Sequence, residues 1–327
     1  MGKPVPQFHY TKNQNNSIFE TFKNLIMKKV LLFAAFLTST ILFAQEDETK
    51  KDGNWKTTGK ISFLMNQSSF SNWQPGGDNA FSGNVSLNYD FNYSKNGWVF
   101  DNKLIASLGI NAIEGEDTKK TDDRFEFNSI LGKQFTKTWN FSFFANFKTQ
   151  FINGFDYDDD YSGPLDNLDF PTSGFMKPGY LSFGPGFFWK KSDNLSVNIA
   201  PITSKFTFLT GEVFTLNDDK TQYESSNDIE TFGVKPGESV RYEFGLNMRG
   251  YYRVDLMKNI NMENILTIFS DYIEKPQNVD FDYTMNLVMK INDVFSTNLT
   301  VQTVYDDNAY SALQVRQTFG VGISYNF

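Results

Sequence analysis

Charged side chains recur at every second position in one stretch of the chain. Between residues 240 and 256, Arg241, Glu243, Arg249, Arg253 and Asp255 take odd positions, together with Asn247 and Tyr251. The even positions carry Val240, Tyr242, Phe244, Leu246, Met248, Tyr252, Val254 and Leu256. A period of two places the sets on opposite faces of a β-strand. Three arginines on one face could hold the carboxylate or phosphate of a small solute, or pair with carboxylates on neighbouring strands. By the same parity Asp101, Lys103, Arg124, Glu126, Lys148, Asp282, Lys290 and Arg316 share the polar side of their strands. These residues are the candidate lining of a lumen.

Other chemistry is sparse. The only histidine is His9 and there is no cysteine. Hydrolysis by a Ser–His pair and a His- or Cys-ligated metal site are therefore not expected in the exported chain, and neither an enzyme nor a cofactor is expected. Asp156, Asp158, Asp159 and Asp160 crowd one loop, and hard carboxylate oxygens can hold Ca²⁺ or bridge through divalent ions to lipopolysaccharide phosphates. Their spacing matches no calcium-loop signature, so a solvated acidic loop is the plainer reading. A formal net charge of −8 argues against nucleic-acid partners.

These side chains need strands to hold them, and the strands can be counted. Alternation returns in twelve runs: 55–65, 81–93, 98–112, 124–135, 139–151, 180–189, 195–210, 240–256, 260–273, 281–291, 294–305 and 313–327. Each has roughly the nine to eleven residues that cross a bilayer with tilt. Short turns alternate with longer loops, as in outer-membrane barrels, with turns expected at the periplasmic side and loops outside. Run 195–210 shifts phase at Pro201, and a bulge there would explain it. Trp55, Trp98, Trp139 and Trp189 all fall at turn-side strand ends, where a headgroup-level aromatic girdle belongs. The final run presents Phe319, Tyr325 and Phe327 on its apolar face, the kind of aromatic ending that barrel-assembly machinery recognises.

The expected architecture is an all-β, antiparallel up-and-down transmembrane barrel of about twelve strands spanning residues 55–327. Upstream, Lys28 and Lys29, the apolar run 30–43, and Leu42 and Ala44 before Gln45 have the layout of a signal peptide over 27–44. Residues 1–26 are read as lying before the true initiator, Met27, and 45–54 as a short periplasmic segment. Both termini of the barrel are expected in the periplasm.

Several segments resemble a family of outer-membrane proteins from Bacteroidetes-type bacteria catalogued only as a domain of unknown function. They are Phe70-Ser71-Asn72-Trp73 with Gly76-Gly77, the stretch from Ala200-Pro201-Ile202 to Phe208, Phe232-Gly233-Val234-Lys235-Pro236-Gly237, and Phe269-Ser270-Asp271-Tyr272. Pro276-Gln277-Asn278-Val279-Asp280, Met289-Lys290-Ile291-Asn292 and Tyr305-Asp306-Asp307 complete the set. The resemblance implies an outer-membrane location and no activity. The expected function is a narrow channel or binding protein for a small solute, in contact with outer-membrane lipid and lipopolysaccharide. A non-conducting structural or assembly partner is the alternative.

Overall fold

The computed structural model describes residues 53–69, 79–157, 170–292 and 294–327. Asn54–Phe327 forms one compact unit. The expected signal peptide, the segment before it, and Asp158, Asp159 and Asp160 lie outside the described residues. So do the resembling residues 70–77.

Twelve antiparallel strands close into one barrel. They are β1 (Trp55–Ser68), β2 (Ala80–Lys95), β3 (Trp98–Ile113), β4 (Lys119–Gln134), β5 (Trp139–Thr149), β6 (Gly179–Ser192), β7 (Leu195–Phe208), β10 (Val240–Met257), β11 (Ile260–Asp271), β12 (Asp280–Lys290), β13 (Phe295–Asp306) and β14 (Tyr310–Asn326). Two short strands, β8 (Phe214–Leu216) and β9 (Tyr223–Ser225), form a separate hairpin in the connection between β7 and β10. Among the described residues no helix is long and apolar enough to cross a membrane.

The pattern of burial is the reverse of a soluble protein's. Phe141, Phe319, Val315 and Tyr325 are more than half exposed, while Glu126 and Glu243 are among the largest fully buried side chains. A water-soluble sandwich or ligand-binding barrel would place its oily faces inward. An apolar outer belt around a polar interior is the arrangement that lipid imposes.

The alternation of the sequence maps onto these strands with three instructive departures. First, β4 starts at Lys119 instead of 124, because a register shift at Gly109/Ile110 lets Lys119, Lys120, Asp122 and Asp123 pair with β3. Charged residues without apolar neighbours gave no periodic signal there. Second, the pairing of β7 with both neighbours carries one extra residue around Pro201–Ile202. This bulge turns the residues beyond it over, so Lys205 faces inward with Thr203 and Thr207. Third, the connection 209–239 is folded in its own right: Leu209, Val213 and Val234 form a small buried cluster capped by Phe232.

The ring closes between the first and last strands. β1 and β14 pair from Lys60↔Asn326 to Met65↔Val321. Beyond that ladder, Gly59 and Phe327 exchange two backbone hydrogen bonds of 2.7 and 2.9 Å. The Phe327 ring lies over Gly59, where a β-carbon would stand 2.3 Å from it, and stacks against Tyr89 and Tyr325. A β-carbon on Gly322 would meet the Phe63 carbonyl oxygen at 1.9 Å, so this part of the seam admits no side chain. Gly322→Val is therefore expected to force the seam apart. The fraction of protein showing a heat-dependent gel shift should fall severalfold; an unchanged fraction would contradict this account of closure.

Candidate functional site: the charged lumen

The inward faces meet across the barrel, and most of their charges meet as ion pairs. Near the turn end, Lys190 of β6 reaches Asp101 of β3 at 2.7 Å and Asp193 at 3.3 Å. Lys56 of β1 also donates to Asp193, at 2.6 Å, from the opposite side of the ring. That hydrogen bond, more than any other influence, holds the Asp193 carboxyl below the usual carboxylate range.

Deeper in, Lys103 of β3 lies 3.2 Å from Glu263 of β11 and 3.3 Å from Asp90 of β2. Strands β3 and β11 lie opposite one another in the twelve-strand ring, so the Lys103–Glu263 contact spans the lumen's full width. Tyr251 donates its hydroxyl to the same Glu263 carboxylate at 2.9 Å, and Asn286 donates from 3.3 Å.

Glu126 is wholly buried on β4. It accepts from Arg124 on its own strand, from Asn128 at 2.8 Å, and pairs with Arg249 of β10 at 3.3 Å. Lys148 of β5 crosses to Asp282 of β12 at 2.7 Å. Arg316 of β14 crosses to Asp122 of β4 and donates to Gln302 at 3.0 Å.

Toward the loop end, Lys205 gathers Glu243 and Asp280, each at 3.2 Å, and Asp306 at 3.6 Å. Arg241 lies 3.6 Å from Glu243 and 3.2 Å from Glu274. Gly233, with φ of +73°, brings the β7–β10 connection directly against the Arg241 guanidinium.

The three arginines of β10 therefore do not form one cluster. Arg241 and Arg249 are each taken up by carboxylates, and Arg253 has no carboxylate partner among the described residues. Lys290 has none either. Sequence parity missed Lys205 because it lies past the bulge, although Phe206 and Phe208 mark the new phase. Glu263 escaped notice because β11 points Ile265 and Phe269 inward as well, both buried, which blurs its alternation.

Beside the Lys103–Glu263 contact lies a cavity of about 210 Å³. Lys60, Ser62, Asn88, Asn286, Asn298 and Thr318 form part of its wall. The crossing pairs Lys103–Glu263 and Arg316–Asp122 also border it.

The remaining candidate residues lie elsewhere. Trp55, Trp98, Trp139 and Trp189 all stand at the turn end; Trp139 faces Trp189 in register, and Trp55 packs on Tyr93 at 5.1 Å. Phe319 and Tyr325 point away from the lumen. Asp156 stands apart from the carboxylate group Asp280, Asp306 and Asp307, whose oxygens come within 4.8 Å of one another. Lys205 and Lys275 already sit on that group, with Lys275 3.5 Å from Asp307, so it is part of the ion-pair network.

A closed, even-stranded antiparallel barrel with an oily belt and a charged interior is an outer-membrane β-barrel. Residues 65–155 match the model of a protein family described as "Protein of unknown function (DUF3078)". No curated protein matches the chain. Among solved structures it is similar to the NanC porin (7% identity, TM-score 0.34, covering 81% of this chain and 98% of that one). It is also similar to the COG4313 outer membrane channel from Pseudomonas putida F1 (10%, 0.34, 86% and 99%). A third is an active-site mutant of outer membrane phospholipase A from Escherichia coli (12%, 0.33, 85% and 94%).

Removing one member of a buried pair strands its partner in a poorly hydrated interior. Glu126→Ala, which leaves Arg124 and Arg249 facing each other, is expected to destabilise the folded barrel by about 3–5 kcal/mol in urea titrations. Lys56→Ala removes an exposed contact and should change stability by less than about 1 kcal/mol.

Proposed function

We propose that this barrel is a narrow channel that admits a small polar solute to its lumenal cavity and is held shut at rest by ion pairs across the lumen. One observation carries the reading: a cavity of about 210 Å³, lined mostly by polar residues, adjoins a full-width contact, Lys103–Glu263. Pockets for drug-sized ligands run to about 300–1,000 Å³, so the occupant is smaller than those. Lys103 is shared between Glu263 and Asp90, and a cation with two carboxylates in reach can move from one toward the other without being left unpaired.

In this reading the turn end and both termini of the barrel face the periplasm, and the folded connections face outward. The apolar belt contacts lipid, with lipopolysaccharide in the outer leaflet. The aromatic face of β14, with Phe319, Tyr325 and Phe327, is offered to the assembly machinery. A role without catalysis is favoured by the sequence, whose single histidine is His9.

A second reading, a non-conducting structural or assembly partner, draws on the same ion pairs, since a lumen bridged from wall to wall can simply be filled. Planar-bilayer recordings separate the two. The native protein is expected to give small unit currents, and the Lys103→Ala/Glu263→Ala double variant currents several times larger. Folded protein that is silent in both forms would favour the structural reading.

A further inference from the structure

The basic residues of the lumen are not all neutralised, and those that are not lie together. Lys60, Arg253 and Lys290 have no carboxylate partner among the described residues, whereas each of the crossing cations described above has at least one. Lys60 is half-buried on β1; among the described residues its ammonium donates to Asn298, at 3.3 Å. Arg253 shares the wall of the large cavity with it, and Lys290 shares with it a small adjoining recess lined by Ser296, Ser324 and Asn326. All three come from the turn-end portions of their strands, β1, β10 and β12. The nearest acidic groups on the cavity wall, Asp90 and Glu263, are already held by Lys103. Asp255, on the same face of β10 as Arg253, accepts from Asn261 at 2.6 Å; set against it, the three cations leave this end of the lumen with an excess of positive charge.

Arg253 and Lys290 are exposed, and cations gathered without carboxylates at ion-pair distance repel one another unless a mobile anion attends them. The chemistry on offer is specific. A guanidinium presents parallel N–H donors suited to carboxylate or phosphate oxygens, and two ammonium groups add point charges. Asn261, Asn298, Asn326 and Ser62 supply neutral donors and acceptors for hydroxyl groups.

We propose that Lys60, Arg253 and Lys290 form the binding site for a small solute bearing carboxylate or phosphate groups, which enters the cavity from the turn end. This rests on the solute-channel reading above and names the class of its solute. The site lies on the inner wall, so its occupant is a dissolved anion and not a lipid headgroup from the surrounding belt.

The test uses full-length folded protein in detergent micelles. Citrate, inorganic phosphate and glucose are titrated calorimetrically, and reversal potentials are recorded in planar bilayers across a KCl gradient. Citrate or phosphate is expected to bind, more weakly at high salt, and the native channel is expected to prefer chloride. The triple variant Lys60→Gln/Arg253→Gln/Lys290→Gln should weaken binding at least tenfold and remove the chloride preference. Lys60→Arg, which keeps the charge, should bind within a few-fold of native. A heat-dependent gel shift establishes that each variant is folded; should the triple variant not fold, Arg253→Gln alone is expected to weaken binding severalfold. Glucose binding without citrate or phosphate binding, or currents without anion preference, would overturn the anion site while leaving the channel intact. Native-strength anion binding by a folded variant would also overturn it. Absence of both binding and current in the native protein would remove both readings together.

Discussion

Hydrocarbon offers no partner to a backbone N–H or C=O, and the rest of this structure follows from that. A sheet in a bilayer cannot leave an edge, so the twelve strands must form a ring, and the ring must close between segments far apart in sequence. Closure here depends on local fit at β1 and β14. Glycine at 322 admits the Phe63 carbonyl, glycine at 59 admits the Phe327 ring, and two further backbone hydrogen bonds extend the ladder past its regular end. The apolar belt makes the ring compatible with lipid, but the ladder makes it a ring.

A ring of this size encloses space, and the space has to be filled or wetted. In this protein much of it is filled by charge. Ion pairs in a poorly hydrated interior contribute little net stability, because desolvation offsets most of their attraction. They do penalise wrong arrangements heavily. A one-residue slip of β10 would turn Arg241, Glu243 and Arg249 toward lipid, taking Arg249 from Glu126 and Glu243 from Lys205. The charged lumen therefore selects register more than it adds stability, and the bulge at Pro201–Ile202 is what brings Lys205 into that scheme.

Most of the fold was legible in the sequence because lipid on one side and polar contents on the other enforce a strict two-residue period. Val240 to Leu256 shows this directly, as do the short turns alternating with longer connections. Two kinds of information were not. Where neighbouring residues are all charged, as at Lys119–Asp123, alternation carries no contrast and the strand's beginning is invisible. The more consequential gap concerns partners. Parity says that Arg241, Arg249 and Arg253 share a face, but which carboxylate crosses the lumen to meet each depends on the shear of the whole ring, a property no single strand records. Hence three arginines of similar appearance have different fates: one against Glu243 and Glu274, one against Glu126, and one with no carboxylate at ion-pair distance among the described residues.

The Lys103–Glu263 contact joins diametrically opposite walls, alongside the Lys56–Asp193 and Lys148–Asp282 crossings. Mechanically it is a tie-rod: while it holds, the cross-section resists being drawn into an oval along the perpendicular axis by lateral forces in the bilayer. Its release by an occupant of the adjoining cavity would alter the stiffness of the entire hoop, so that occupancy at one point on the inner wall would be felt by the surrounding lipid.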